Sequence, residues 1–349
     1  MTPLSDWLEE ELARRSFPGA SALVGTSTTV LGAASGGDAA IEPVRESLRP
    51  ETLFDLASLT KPLSTAALVR LARDRGLSLD DLPGRFLPEW KRTRYDGITI
   101  EHLMTHTSGL PSWYPLYTGG EGPAAYRRTL AQIEPERAPG SAVVYSDLGP
   151  LLVAEILEMA FSAPLDRCFA ELVAAPSDSR ARFLPSDPRG CAATERGDRT
   201  ERRMTADLGL SYRGFVDGVV RGEVHDGNAR RRGGVAGNAG LFGTAEDVWR
   251  LARAWLDPSF RADLAADRTP ELPEARGIGW QGARGAGSAI PEFGDSAFGH
   301  TGFTGTSLWI DPDRDAVLVL LTNRIHPEVR EENFHPVRQR FHRAALRLL

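Results

Sequence analysis

Apolar positions fall into two rhythms along this chain, one helical and one strand-like, and their order outlines the fold. Residues 6–15 mix dense charge with Trp7, Leu8 and Leu12, which predicts an amphipathic surface helix. Residues 20–25 and 28–32 are β-type runs bounded by Gly and Ser, the signature of a hairpin. Across 59–75 the rhythm becomes helical: Ala66, Ala67, Leu68, Leu71 and Ala72 share a face, Pro62 falls in the first turn and Gly76 supplies the stop. Further helices are predicted at 100–104, 124–132 and 148–161. Residues 176–203, rich in Pro, Asp and Arg, read as a loop or a crossing between lobes. Apolar runs at 306–310 and 316–322 flank Asp311-Pro312-Asp313-Arg314-Asp315 and predict a second hairpin, and 336–349 closes the chain as a helix.

Because strands and a helix occur at both ends, the ends are expected to share one sheet while the middle forms a helical lobe. The expected architecture is α+β: an antiparallel sheet flanked by the N- and C-terminal helices, formed by 1–60 and 205–349, with a mostly helical insertion at 61–204. Composition adds limits. With 349 residues, 41% of them hydrophobic and 25% charged, the chain is neither disordered nor fibrous. Its 41 Lys and Arg against 47 Asp and Glu give a net charge of −6, so no nucleic-acid partner is expected. The run Arg230-Arg231-Arg232 reads as a short solvated loop. No apolar stretch reaches the roughly 18 residues of a membrane span. A charged first helix in place of a basic-then-apolar leader leads us to expect a cytoplasmic protein. Cys168 and Cys191 show no metal-type spacing and read as buried or idle thiols, a single disulfide being the alternative.

Three motifs carry candidate chemistry. Ser58-Leu59-Thr60-Lys61 puts a hydroxyl and an amine one helical turn apart at the opening of a helix, where developing negative charge is favoured. A serine needs such a neighbour to become a nucleophile. Taken alone, the pattern is weak and better fits an exposed N-cap serine beside a surface lysine. Tyr145, in Tyr145-Ser146-Asp147, stands where a Pro-Gly turn meets an apolar helix; between two cations its phenol would ionise more readily and act as a general base. A core-facing tyrosine is the plain alternative. His300-Thr301-Gly302 sets an imidazole and a hydroxyl among glycines, which fits a strand edge lined by substrate or a simple turn into the hairpin.

In this order the three motifs resemble those of the serine β-lactamase and penicillin-binding-protein superfamily. The closer similarity is to the class C β-lactamase branch with its D-Ala-D-Ala carboxypeptidases and esterases, whose middle motif is Y-x-N. Segments 103–110, 234–242 and 321–324 look like recurrent segments of that branch, and the likeness covers about 18–345. It implies a β-lactamase/transpeptidase-like fold, Ser58 as acylated nucleophile, Lys61 as proton acceptor or charge stabiliser, and Tyr145 as second base. It further implies Thr301 and Gly302 on the substrate-lining strand, and an oxyanion hole from the backbone N–H groups of Ser58 and Phe303. No cofactor and no metal are implied.

Two departures bear on substrate. Asp147 replaces the Asn of Y-x-N, and a carboxylate can only accept where an amide also donates. His300 replaces the commoner Lys, exchanging a fixed cation for a mostly neutral group. Both favour an esterase, with weak β-lactamase activity, over a proficient β-lactamase or D-Ala-type carboxypeptidase or aminopeptidase. A non-catalytic penicillin-binding sensor is the alternative of another class. The expected partner is a small ester, amide or β-lactam. His102 and His106, four apart near a predicted helix end, have a spacing that can bind a metal but lack the Glu of H-E-x-x-H. His225, Asp226 and Asn228 form a polar loop whose expected role is structural hydrogen bonding, with cleft lining as the alternative.

Overall fold

The computed structural model describes residues 2–91, 95–330 and 332–349. Its N-terminal helix α1 (Pro3–Ala13) leads into strands β1 (Gly19–Gly25), β2 (Val30–Ala40) and β3 (Glu46–Ser47). The last third of the chain returns with β4 (Gln281–Gly282), β5 (Phe298–Thr301), β6 (Ser307–Asp311) and β7 (Ala316–Thr322). All seven join in one sheet of order β3-β2-β1-β7-β6-β5-β4, so the two chain ends pair antiparallel through β1 and β7, with Leu23 opposite Val319. The expected shared sheet is therefore present, with mixed α and β content.

Period-two patterning decides what each face of the sheet covers. On one face Ala20, Ala22, Val24, Leu318 and Leu320 pack with Trp7 and Leu8 of α1 and Phe341 and Ala345 of the C-terminal helix (His335–Leu346). On the other, Leu23, Val317, Val319 and Leu321 join a larger core that runs on to Leu63, Leu68, Leu103 and Leu152. Strand β2 extends well beyond the expected 28–32. Its extension, rich in Gly and Ala, lacks apolar alternation because the terminal segments press on it: a Cβ at Gly37 would stand 2.8 Å from Leu12 of α1, and one at Gly32 2.8 Å from Leu348.

Three local expectations change. The segment read as a loop at 176–203 holds two short strands, Arg182–Phe183 and Ala193–Arg196, and the start of a helix, Arg199–Asp207, whose buried side includes Glu201, held by the Tyr117 hydroxyl and the Gly227 N–H. The Arg230–Arg232 run is not a solvated loop. Arg230 and Arg231 end the short helix Gly227–Arg231 and pair with buried Asp198, while Arg232, 9% exposed, pairs with Glu155 and Glu158. Residues 57–73 stay helical but not uniformly α. A 3-10 turn at Ala57–Leu59 passes into a π-wound segment, Lys61–Ala66, before the α-helix Ala67–Arg73. Pro62, which lacks an N–H, lies where that winding changes. Cys168 and Cys191 are both buried and free.

Candidate active site

The nucleophile candidate sits on a strained turn. Ala57 has φ +48°, a left-handed conformation that costs a residue with a Cβ ~1–2 kcal/mol. Buried groups hold it there: the Ala57 N–H donates to Asp55 Oδ1 (2.8 Å), the Thr304 hydroxyl to the Asp55 carbonyl (2.9 Å) and the Thr306 hydroxyl to the Leu56 carbonyl (3.2 Å). Gly302 is required at this junction, because a Cβ would overlap the Thr306 hydroxyl and stand 2.9 Å from the Leu56 carbonyl oxygen. Strand β5 is thereby drawn against the turn, and Ser58 stays partly exposed while Leu59 and Lys61 are fully buried.

Lys61 spends its three N–H donors on Ser58 Oγ (2.8 Å), Asp147 Oδ1 (2.7 Å) and the Asn238 carbonyl (3.2 Å). Burial alone would push its pKa down, but the charge of Asp147, with the hydrogen bond it accepts, outweighs burial and holds Lys61 above the ordinary lysine value. Lys61 is thus an ammonium at neutral pH. Tyr145 lies between two cations as expected, with Lys61 Nζ 5.0 Å and the Arg276 guanidinium 5.7 Å from its ring centre. The expected fall in its pKa does not follow. Burial raises the phenol, Lys61 pulls it down, Asp147 raises it again, and the net direction is upward.

Two histidines flank that ring, His106 at 4.6 Å and His300 at 5.8 Å between centres. Burial, with Lys61 and Arg276 nearby, holds both well below the ordinary histidine value, so both are neutral. His300 Nδ1 lies 2.8 Å from the Thr301 carbonyl, which assigns its proton to Nδ1. His106 Nδ1 accepts the Ser146 N–H at 3.1 Å. The possible metal pair therefore separates: the helix ends at Met104, His106 has φ +60°, and His102 Nδ1 caps its own helix by accepting the Thr99 N–H.

The recurrent segments brace these groups. Segment 103–110 holds the Tyr145 stretch through the Val144 N–H to the His106 carbonyl (2.8 Å). Segment 234–242 grips the Ser58 turn and the helix behind it, with the Thr65 hydroxyl on the Gly237 carbonyl (2.8 Å) and the Leu56 N–H on the Leu241 carbonyl (2.9 Å). In 321–324, Asn323 ties β1 to β2 by accepting the Gly19 N–H (2.9 Å) and donating to the Asp38 and Ala39 carbonyls.

Ser58, Tyr145, Asp147, His300, Thr301, Gly302 and Phe303 all line one cavity of about 530 Å³. Ser58 and Phe303 share its wall, the placement an oxyanion hole from their N–H groups requires. Sequence reading missed the arginines. Arg276, Arg324 and Arg338 line the same cavity, the last two bound to the Phe303 and Gly302 carbonyls at 3.3 and 2.8 Å. Burial, then the charge of Arg324, pushes Arg338 down to about 9. Arg324 ends the recurrent segment 321–324 without having been assigned to the site, and no short motif announces Arg276 or Arg338, 24 positions before and 38 after His300. The polar loop splits its roles: Asn228 accepts the Leu116 N–H (2.8 Å) and donates to the Tyr114 carbonyl (2.9 Å), while His225 and Asp226 reach the cavity.

A strained serine, a buried lysine and a tyrosine in one cleft suit acyl transfer, and the family profile described as Beta-lactamase matches residues 4–340. The chain belongs to the Beta-lactamase family. Among relatives of this family member, a putative D-alanyl-D-alanine carboxypeptidase of Escherichia coli (strain K12) is 31% identical, covering 82% of this chain and 72% of its own. An N-acetylmuramyl-L-alanine amidase of Bacillus subtilis (strain 168) is also 31% identical, covering 83% and 72%. Among solved structures, EstCE1, described as a hydrolase with promiscuous acyltransferase activity, aligns with TM-score 0.75 at 22% identity over 98% of this chain and 97% of its own. A class C β-lactamase aligns with TM-score 0.72 at 17% identity over 98% and 97%. These last two similarities establish the β-lactamase/transpeptidase fold.

Proposed function

We propose that the protein is a serine hydrolase working through an acyl-enzyme on Ser58, with short-chain esters as its main substrates. The observation that carries this reading is the contact of Ser58 Oγ with the buried Lys61 ammonium, 2.8 Å apart. Asp147 supports esters over amides. Its carboxylate is engaged with Lys61 at 2.7 Å and has no N–H to offer a substrate carbonyl.

In the resting site Lys61 is an ammonium and Tyr145 a phenol, so the reactive form is one proton short of it, and the apparent pKa belongs to the pair. In that form the Ser58 proton passes to the Lys61–Tyr145 pair as Oγ bonds to the ester carbonyl carbon. The same proton then goes to the leaving alkoxide as its C–O bond breaks. Water attacks the acyl-Ser58 ester, gives up a proton through the pair and releases the carboxylic acid, restoring the serine.

A second reading, a peptidase whose substrate carries a terminal carboxylate, is favoured by Arg276, Arg324 and Arg338 in the cavity wall, which offset the missing Lys at position 300. Turnover of p-nitrophenyl acetate and labelling by a fluorescent penicillin, each compared with Ser58→Ala, test the proposal. We expect turnover that disappears in the variant; the absence of both turnover and a covalent adduct at Ser58 would refute the proposal.

A further inference from the structure

The lining of the cavity beside Ser58 holds a basic group and an acidic group of side chains. Arg324 and Arg338 are bound to the Phe303 and Gly302 carbonyls just beyond β5. The acidic group is Asp147, Asp226 and Glu201, drawn from the start of helix Leu148–Phe161, the cap of helix Gly227–Arg231 and helix Arg199–Asp207. Asp226 caps its helix by accepting the Ala229 N–H at 2.7 Å and takes a further hydrogen bond from the Asn238 side chain. Burial first, then the like charge of Asp147, holds Asp226 above the ordinary aspartate value, against the weaker pull of the Lys61 ammonium already paired with Asp147. Burial and the charge of Asp226 also lift Glu201 to about 7. Asp147 and Asp226 thus share one cation, and a further positive charge beside them would favour both carboxylates in their charged form.

A separate observation points to what balances it. Asn238 is 1% exposed, yet its side-chain Oδ1 has no hydrogen-bond partner among the described residues. Its amide nitrogen serves Asp226 and its backbone carbonyl serves Lys61, so the free atom is an acceptor, and the residue lines the cavity. Buried acceptors are rarely left unmatched. We propose that the Asp226–Asn238 wall receives an ammonium group of the substrate, carried within a bond or two of the scissile carbonyl, as in an aminoacyl ester or amide with a free amine. An ammonium brings three N–H donors and a positive charge to a site presenting Asp147, Asp226 and the Asn238 oxygen, all acceptors.

This assignment rests on the Ser58 hydrolase reading, and its test separates the two. With the full chain, kcat/KM is measured for alanine p-nitrophenyl ester, as D and L forms, and for p-nitrophenyl propionate, which replaces the ammonium by hydrogen. Each value is divided by that ester's own rate of hydrolysis in buffer. We expect one alanyl ester to be preferred at least tenfold. In Asp226→Asn and Asp226→Ser, both able to cap the helix and keep the fold, that preference should fall by at least fivefold. Equal or better use of the propionate, with turnover still lost in Ser58→Ala, overturns the ammonium site and leaves the hydrolase standing. A preference that survives both Asp226 variants overturns the assignment to this wall. Absence of Ser58-dependent turnover with every ester overturns both.

Discussion

Asp147→Asn restores the amide found in Y-x-N and removes the carboxylate from a fully buried lysine. At the 2.7 Å contact, unit charges in an effective dielectric of about 20 attract by ~6 kcal/mol. Asn keeps an oxygen that accepts from Nζ, and Asp147 no longer has to be desolvated, so we expect a net loss of ~3 kcal/mol, at the lower end for a broken buried pair. That loss falls on the charged form of Lys61, because burial then opposes the ammonium with less to outweigh it. The Lys61–Tyr145 pair gives up its proton more easily, and ~3 kcal/mol moves the acid limb of kcat/KM for p-nitrophenyl acetate acid-ward by about two pH units. Stability follows the same sign. The raised folded pKa of Lys61 stabilises the wild type fully below the unfolded lysine value of about 10.4, and that contribution disappears as pH rises through the folded value. In the variant the contribution is mostly gone at every pH, so urea unfolding at pH 7 should show the ~3 kcal/mol loss. An acid limb within about 0.3 pH units of the wild type, with unfolding unchanged, would refute the claim that Asp147 holds the proton on this pair.

Further outcomes are expected. Gly302→Ala drives a Cβ into the Thr306 hydroxyl and the Leu56 carbonyl, so unfolding measurements should show a loss of ~1–3 kcal/mol, and esterase kcat should fall as the Ser58 turn shifts. Arg338→Met removes a buried guanidinium that donates to the Gly302 carbonyl; thermal melting should show little or no destabilisation, while hydrolysis of substrates whose leaving group carries a carboxylate falls about tenfold and that of neutral esters much less. His342, fully buried and pushed by burial down to about 3, stabilises its neutral form; stability is fully present above the unfolded value near 6.5 and is lost as pH falls from there toward 3. Urea unfolding between pH 7 and 4 should therefore be less pH-dependent in His342→Gln, by on the order of 3 kcal/mol across that range.

Helical rhythm predicted 148–161 as the structure has it, because an apolar helix buried on most sides prints its pattern without competition from surface polarity. The β6–β7 hairpin was equally legible from its turn residues and β-branched flanks. The extended β2 was not, since glycines and alanines chosen for close helix packing carry no alternation. Helix Arg199–Asp207 was hidden for a related reason: its buried side includes Glu201 and Thr205, polar residues satisfied by partners far away in sequence.

Sequence by itself singled out Ser58, Lys61 and Tyr145 as candidates, the first two by their spacing of one helical turn and the third by its place in the ordered motifs, and it predicted that the chain ends build a sheet. Tertiary structure alone decided the protonation states and the charge of the cleft. Lys61 is an ammonium because Asp147, 86 residues away, touches it, and Tyr145 is a phenol because burial outweighs the cations beside it. Arg276, Arg324 and Arg338 opposite Asp226 and Asn238 come from five separate stretches of chain. Electrostatic energy depends on distance through space and on desolvation, and neither quantity is written along a sequence.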